Sequence, residues 1–167
     1  MRTRNLRSLV YFAGGLGLLV AVFAAAEFFD AALRSVCSVN SFFSCSLIDE
    51  SAYTNTLGVP DYLWGIGGFV LILVAAALAE QRPKDPTRAY FLLGITTVGV
   101  VLSLYLLYIE LGVIHGLCPV CAVDYLLCGV AWVGSIALVR RLPAKAPPDE
   151  DEEAPETDAE SPEIGSA

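Results

Sequence analysis

The chain has 167 residues, 56% of them hydrophobic, and a mean hydropathy of +0.63. Its formal charge of −8 is concentrated at one end: positions 146–167 hold nine Asp/Glu and no Lys/Arg, which leaves ten basic against nine acidic residues, or +1, for everything before. No basic stripe or nucleic-acid motif is present, so binding to nucleic acid is excluded, and the composition describes a membrane protein with an acidic tail.

Four stretches are apolar for about the 20 residues that a helix needs to cross a bilayer. They lie at roughly 8–29, 61–80, 89–114 and 118–139. They predict an all-α integral membrane protein built as a four-transmembrane-helix bundle. The first ends in Ala24-Ala25-Ala26, which imitates a cleavage site, but its apolar run exceeds the usual signal-peptide core of about 7–15 residues. It is therefore read as a span. Arg2, Arg4 and Arg7 precede it, Arg82, Lys84 and Arg88 separate the second and third spans, and Arg140, Arg141 and Lys145 follow the fourth. Only Arg34 lies opposite, and this nine-to-one split places both termini in the cytoplasm. The protein is thus expected in the cell membrane as a multi-pass chain, with its paired cysteines on the oxidising, extracytoplasmic side.

Gly14, Gly15 and Gly17 in the first span, and Gly65, Gly67 and Gly68 in the second, predict close helix approach. Between these spans lies an outer segment of about 30–60, long for a connection and therefore expected to be functional. It carries Cys37 and Cys45, with seven residues between them. Leu47, Ile48 and Ser51 share a helical face, which predicts either a short helix lying on the membrane as a lid or a plain loop stapled by Cys37–Cys45. Pro83 and Pro86 mark a short cytoplasmic turn.

The fourth span opens on Cys118-Pro119-Val120-Cys121. Proline at the first helical position makes Cys118 the N-cap, where free N–H groups favour a thiolate. Two cysteines at this spacing form a disulfide that attack can reopen. The motif also supplies half a zinc site, but no second Cys-x-x-Cys or His pair completes one. Cys118, Cys121, Tyr125 and Cys128 fall on one arc of the helix. Tyr125 reads equally as a hydrogen-bond donor to a redox ligand or as an interfacial anchor. Asp124, an ionisable residue inside a span, reads as a proton-handling group or as a hydrated one near the surface. Cys128 lies about 15 Å deeper than Cys118 at 1.5 Å per residue, so it reads as packing. His115, the single histidine, reads as an exposed loop residue.

Residues 1–143 are expected to form the membrane redox domain and 144–167 a disordered acidic cytoplasmic tail. Two cysteine pairs on one face predict a relay that moves electrons by thiol–disulfide exchange. With no haem attachment motif and no dinucleotide fingerprint, elimination leaves a lipid-soluble quinone as acceptor. The reading from another class is a non-catalytic membrane protein with two static disulfides.

Together the motifs resemble the vitamin K epoxide reductase family, in its prokaryotic branch. The resemblance runs from Cys37 to Tyr125, over Cys37-x7-Cys45, Ser51-Ala-Tyr, Leu57-Gly-Val-Pro60, Gly65 and Cys118-Pro-Val-Cys-Ala-Val-Asp-Tyr125. It implies a four-helix bundle around a quinone (menaquinone, ubiquinone or a vitamin K-like one), capped by the loop helix. It implies that Cys37 and Cys45 pass electrons to the Cys118/Cys121 pair, that Cys45 forms the interloop disulfide with Cys118, and that Cys121 lies nearest the quinone. Ser51 matches a serine or threonine near the ligand and Tyr125 a tyrosine that donates to it. Asp61 falls where animal members carry a ligand-binding asparagine, and here the chain departs from them. The order of the pairs, wide first and Cys-x-x-Cys last, separates this pattern from the bacterial disulfide-bond membrane oxidase. The resemblance implies an oxidoreductase that takes electrons from a separate thioredoxin-like thiol oxidase outside the cytoplasm, passes them to the quinone pool and supports disulfide-bond formation. A vitamin K epoxide or quinone reductase of the same family is the alternative.

Overall fold

Two of the long helices of this protein start at a residue whose side chain caps them, Asp85 and Cys118. The computed structural model describes residues 3–38, 40, 42–46, 55–56, 58–82 and 85–141. Helix α1 runs Thr3–Phe29, so it begins before the apolar run and takes in Arg4 and Arg7. The Asp30 carboxylate then accepts from the N–H of Ala32 (2.8 Å) and starts a second helix, α2, Ala31–Cys37. A two-residue hairpin follows, β1 Asn55–Thr56 against β2 Val59–Pro60, turning through Gly58 at φ 80°. Helix α3 is Asp61–Gln81. Helix α4, Pro86–Ile109, is capped by Asp85, which accepts from the N–H of Thr87 (3.1 Å). It widens into a π-turn at Glu110–Ile114. Helix α5 is Pro119–Val139, with Cys118 as N-cap and Pro119 in its first turn.

The long helices form a ring in which α1 packs on α3 and α5, and α4 packs on the same two. Side-chain contacts fix their directions. Tyr62 at the start of α3 meets Phe28 and Phe29 at the end of α1. Tyr11 near the start of α1 donates to Glu80 at the end of α3 (2.8 Å). Arg88 at the start of α4 donates to the Leu78 carbonyl (2.8 Å). The ends of α1 and α4 and the starts of α3 and α5 therefore share one end of an up-and-down bundle. Four helices of this length and hydropathy make a multi-pass membrane protein.

Its interior is made of small residues. Ala13, Ala21, Ala75, Ala76, Ala131 and Cys128 are buried with Val10, Phe69, Ile72 and Leu92. Phe12, Leu19, Leu71, Val98, Leu104, Leu126 and Val133 point outward. Among the glycines expected at contacts, Gly14, Gly17 and Gly65 face a neighbouring helix, whereas nothing lies within 4 Å of a Cβ built on Gly15, Gly67 or Gly68. The Phe69 ring fills the space that a side chain at Gly17 would need. Cys128 packs against α4, where its sulfur lies 2.9 Å from a Cβ built on Gly99. The expected lid helix around Leu47, Ile48 and Ser51, and the expected tail at 144–167, lie outside the described residues.

Candidate redox site

The shared end of the bundle gathers the cysteines. Helix α2 ends on Cys37, which forms a disulfide with Cys45 (Cα–Cα 5.7 Å). Between them the chain folds on its own polar groups. Asn40 Oδ1 accepts from the N–H of Phe42 (2.9 Å) and of Phe43 (2.8 Å), which makes an Asx-type turn. The hydroxyl of Ser44 donates to Ser38 (3.1 Å) and lies 2.8 Å from that of Ser46. The loop is then fastened to the chain just ahead of α5. Phe43 bridges Leu117 in parallel, the Leu117 N–H donates to the Phe42 carbonyl (2.8 Å), and the Ser44 N–H donates to the Leu117 carbonyl (3.2 Å).

That fastening brings Cys45 to Cys118. Their sulfurs are 2.8 Å apart, and the sulfurs of Cys37, Cys45 and Cys118 all lie within 4.8 Å of one another. Two of the three are joined in the disulfide, which leaves one thiol, too few donors for a metal. Cys45 and Cys118 are nearly closed off, at 1% and 4% exposure, and Cys37 retains 9%. Cys118 and Cys121 are free thiols, and the Cys121 N–H donates to the Cys118 sulfur (3.5 Å). The arrangement holds a disulfide, a neighbouring thiol that can attack it, and a second thiol that can resolve the product.

The profile of the vitamin K epoxide reductase family matches residues 8–136. The chain belongs to this family. No curated protein matches it. Membership makes the protein a membrane thiol–disulfide oxidoreductase with redox-active cysteines, and enzymes of the vitamin K epoxide reductase family use quinones.

In this vitamin K epoxide reductase family member, the remaining expected residues scatter around the cysteines. Tyr125 turns its hydroxyl into the bundle and donates to Glu110 Oε1 (2.7 Å). Asp124 faces the other way, with Oδ2 3.5 Å from a Cβ built on Gly65 of α3. Its Oδ1 is buried and has no hydrogen-bond partner among the described residues. Asp61 is the first residue of α3, near enough to Glu110 for the two carboxylates to interact. Ser51 lies outside the described residues. Cys128 is in the helical core, away from the other sulfurs. His115 is exposed, takes the left-handed conformation (φ 57°, ψ 36°) and donates from Nδ1 to the Leu111 carbonyl (3.1 Å).

Glu110 is the residue that the sequence reading passes over. It is buried at 3% exposure on the π-turn, and its Oε2 accepts from the Cys118 N–H (3.2 Å). The Gly116 N–H donates to its carbonyl (3.0 Å), so the turn closes on this residue before the chain reaches Cys118. The available signal was an acidic side chain inside a predicted span, the same signal that singles out Asp124.

Proposed function

We propose that this protein is a thiol:quinone oxidoreductase that oxidises a thioredoxin-like protein outside the cytoplasm and so supports disulfide formation in secreted proteins. The observation that carries this reading is the 2.8 Å separation of Cys45 and Cys118 beside the Cys37–Cys45 disulfide. The cycle starts with both pairs oxidised. A thiolate of the partner attacks Cys37, forms a mixed disulfide and frees Cys45. Cys45 attacks Cys118, opens the Cys118–Cys121 disulfide and frees Cys121. The partner's second thiol then releases Cys37 and leaves as a disulfide. Cys37 attacks Cys45, which restores Cys37–Cys45 and frees Cys118. Two electrons have passed from one dithiol to another, each step breaking one S–S bond and forming one. The free Cys118 and Cys121 beside a closed Cys37–Cys45 correspond to the loaded stage of this cycle.

A quinone supplies the two-electron acceptor that reoxidises the loaded pair. The residues present fit such a group. Tyr125 offers a phenolic group one helical turn below Cys121, whose single proton is donated to Glu110 here and whose oxygen can accept from a quinol hydroxyl. Oδ1 of Asp124, without a hydrogen-bond partner among the described residues, offers a second acceptor. Asp61 and Ser51 complete the candidate set.

The test uses purified protein with a soluble quinone and two reductants. Cys37→Ala is expected to abolish turnover with a protein dithiol and to spare turnover with dithiothreitol, which reaches the inner pair directly. Cys118→Ala and Cys121→Ala are expected to abolish both, while Cys128→Ala stays near wild type. Full dithiothreitol turnover by Cys121→Ala would falsify the relay. Resistance of both disulfides to dithiothreitol in the wild-type protein would favour static cross-links instead.

A further inference from the structure

The thiol relay described above makes no use of Glu110, although its side chain bonds α5 at two points, one on either side of Cys121. Its hydrogen bonds come from the first turns of α5: the Cys118 N–H to Oε2 (3.2 Å) and the Tyr125 hydroxyl to Oε1 (2.7 Å). Cys121 lies between these two contacts on the same arc of α5, three residues after Cys118 and four before Tyr125. Burying a carboxylate is costly unless a cation or several donors compensate it. The donors here are one amide and one phenol, and the phenol is a group that releases a proton in chemistry. A glutamine would satisfy the Cys118 N–H without a charge. What a carboxylate adds at this position is the ability to take a proton. The π-turn is what delivers it there, and such wide turns recur at functional sites.

We propose that Glu110 is the general base of the loaded site: it takes the proton of the Cys121 thiol and, through Tyr125, passes a proton toward the electron acceptor. In the first step the S–H bond of Cys121 breaks, an O–H bond forms on Glu110, and no electron moves. The thiolate left on Cys121 is the nucleophile. In the second step Tyr125 gives its phenolic proton to the acceptor and recovers one from Glu110. The dithiol loses two electrons and two protons overall, and a quinone that becomes a quinol takes up both. Glu110 and Tyr125 carry one of those protons. The destination of the proton rests on the quinone reading above; its origin on Cys121 does not. The other titratable groups facing Glu110 are Asp61 at the start of α3 and Cys118 at the start of α5.

The experiment compares the full-length wild type, Glu110→Gln and Glu110→Asp, reduced with dithiothreitol, freed of it, and kept without quinone. Alkylation of Cys121 by iodoacetamide is followed across pH by fragment mass spectrometry, which separates it from Cys118. In Glu110→Gln that internal transfer is lost, so alkylation of Cys121 below the thiol's inflection, which the wild type keeps as a pH-independent plateau, is expected to fall about tenfold per pH unit. Glu110→Asp should recover part of the loss. Dithiothreitol:quinone turnover of Glu110→Gln should fall by about 100-fold or more. A wild-type alkylation profile in Glu110→Gln overturns the proposal, whatever turnover does. If Glu110→Gln does not fold, the wild type decides. Reduction of protein labelled with ¹³C-glutamate should produce a protonated carboxyl band, shifted by the label, in the infrared difference spectrum, and no such band overturns the proposal. Should the wild type reduce no quinone at all, the acceptor reading fails and the alkylation profile still judges Glu110.

Discussion

The Tyr125 hydroxyl has its hydrogen bond inside the bundle, to Glu110 Oε1 at 2.7 Å, and not at the membrane surface. A bond from a phenol to a buried carboxylate is worth roughly 1–3 kcal/mol, or about 5- to 150-fold in a rate or affinity that depends on it. Tyr125→Phe is therefore expected to lower quinone turnover by a factor in that range. Exchange with the protein partner, measured by trapping the mixed disulfide at Cys37, should be unchanged. Wild-type quinone kinetics in Tyr125→Phe would reduce Tyr125 to a packing residue; loss of both functions would mark the defect as structural. The gathering of the cysteines was legible because one pair is spaced at a helix start and the other closes one loop. The place of Tyr125 on the same helical arc was legible from its spacing; its part in quinone binding is a proposal. Glu110 was not legible in the same way. An acidic side chain inside a span was its one sign, and its burial depends on a widened turn followed by a left-handed histidine, which the order Ile109-Glu110-Leu111 does not announce.

At the scale of elements, the relay depends on a short clip. The Phe43–Leu117 bridge ties the cysteine loop to the start of α5, and Asn40 shapes the loop so that the bridge can form. Asn40 is exposed and its side chain bonds backbone N–H groups of its own loop, so its loss tests how that loop is positioned. Asn40→Ala removes an acceptor from two N–H groups, a change of about 1 kcal/mol by analogy with a helix cap. Non-reducing gels of a Cys37→Ala/Cys121→Ala background should show the Cys45–Cys118 cross-link forming about 5-fold more slowly with Asn40→Ala added. An unchanged rate would mean that the clip does not set the approach of the two sulfurs. The long helices were legible from hydropathy because a bilayer demands a fixed length of apolar chain. The clip was not, because a bridge of one residue on each side carries no periodic pattern. Helix α2 had a readable start in Asp30, but its seven residues are too few to announce themselves against a polar loop.

For the whole molecule, we propose from the distribution of basic residues that both ends lie in the cytoplasm and the cysteine end on the opposite side. Single cysteines introduced at Arg4 and at Glu163 should resist membrane-impermeant thiol reagents in intact cells and react after permeabilisation. Labelling of either site from outside would reverse the arrangement. The bundle also distributes side-chain volume inside out, with alanines and glycines facing one another and Phe, Leu and Val facing away. In water such an exterior would drive aggregation; in lipid it meets a solvent as apolar as itself. Mutational tolerance is inverted accordingly. Trimming an outer leucine such as Leu104 exchanges one hydrocarbon contact for another, so this surface is free to drift in sequence as long as it stays apolar. Enlarging an interior alanine such as Ala75 or Ala131 wedges two helices apart. Selection on this fold thus filters size within and polarity without, which is the reverse of the filter acting on a water-soluble domain.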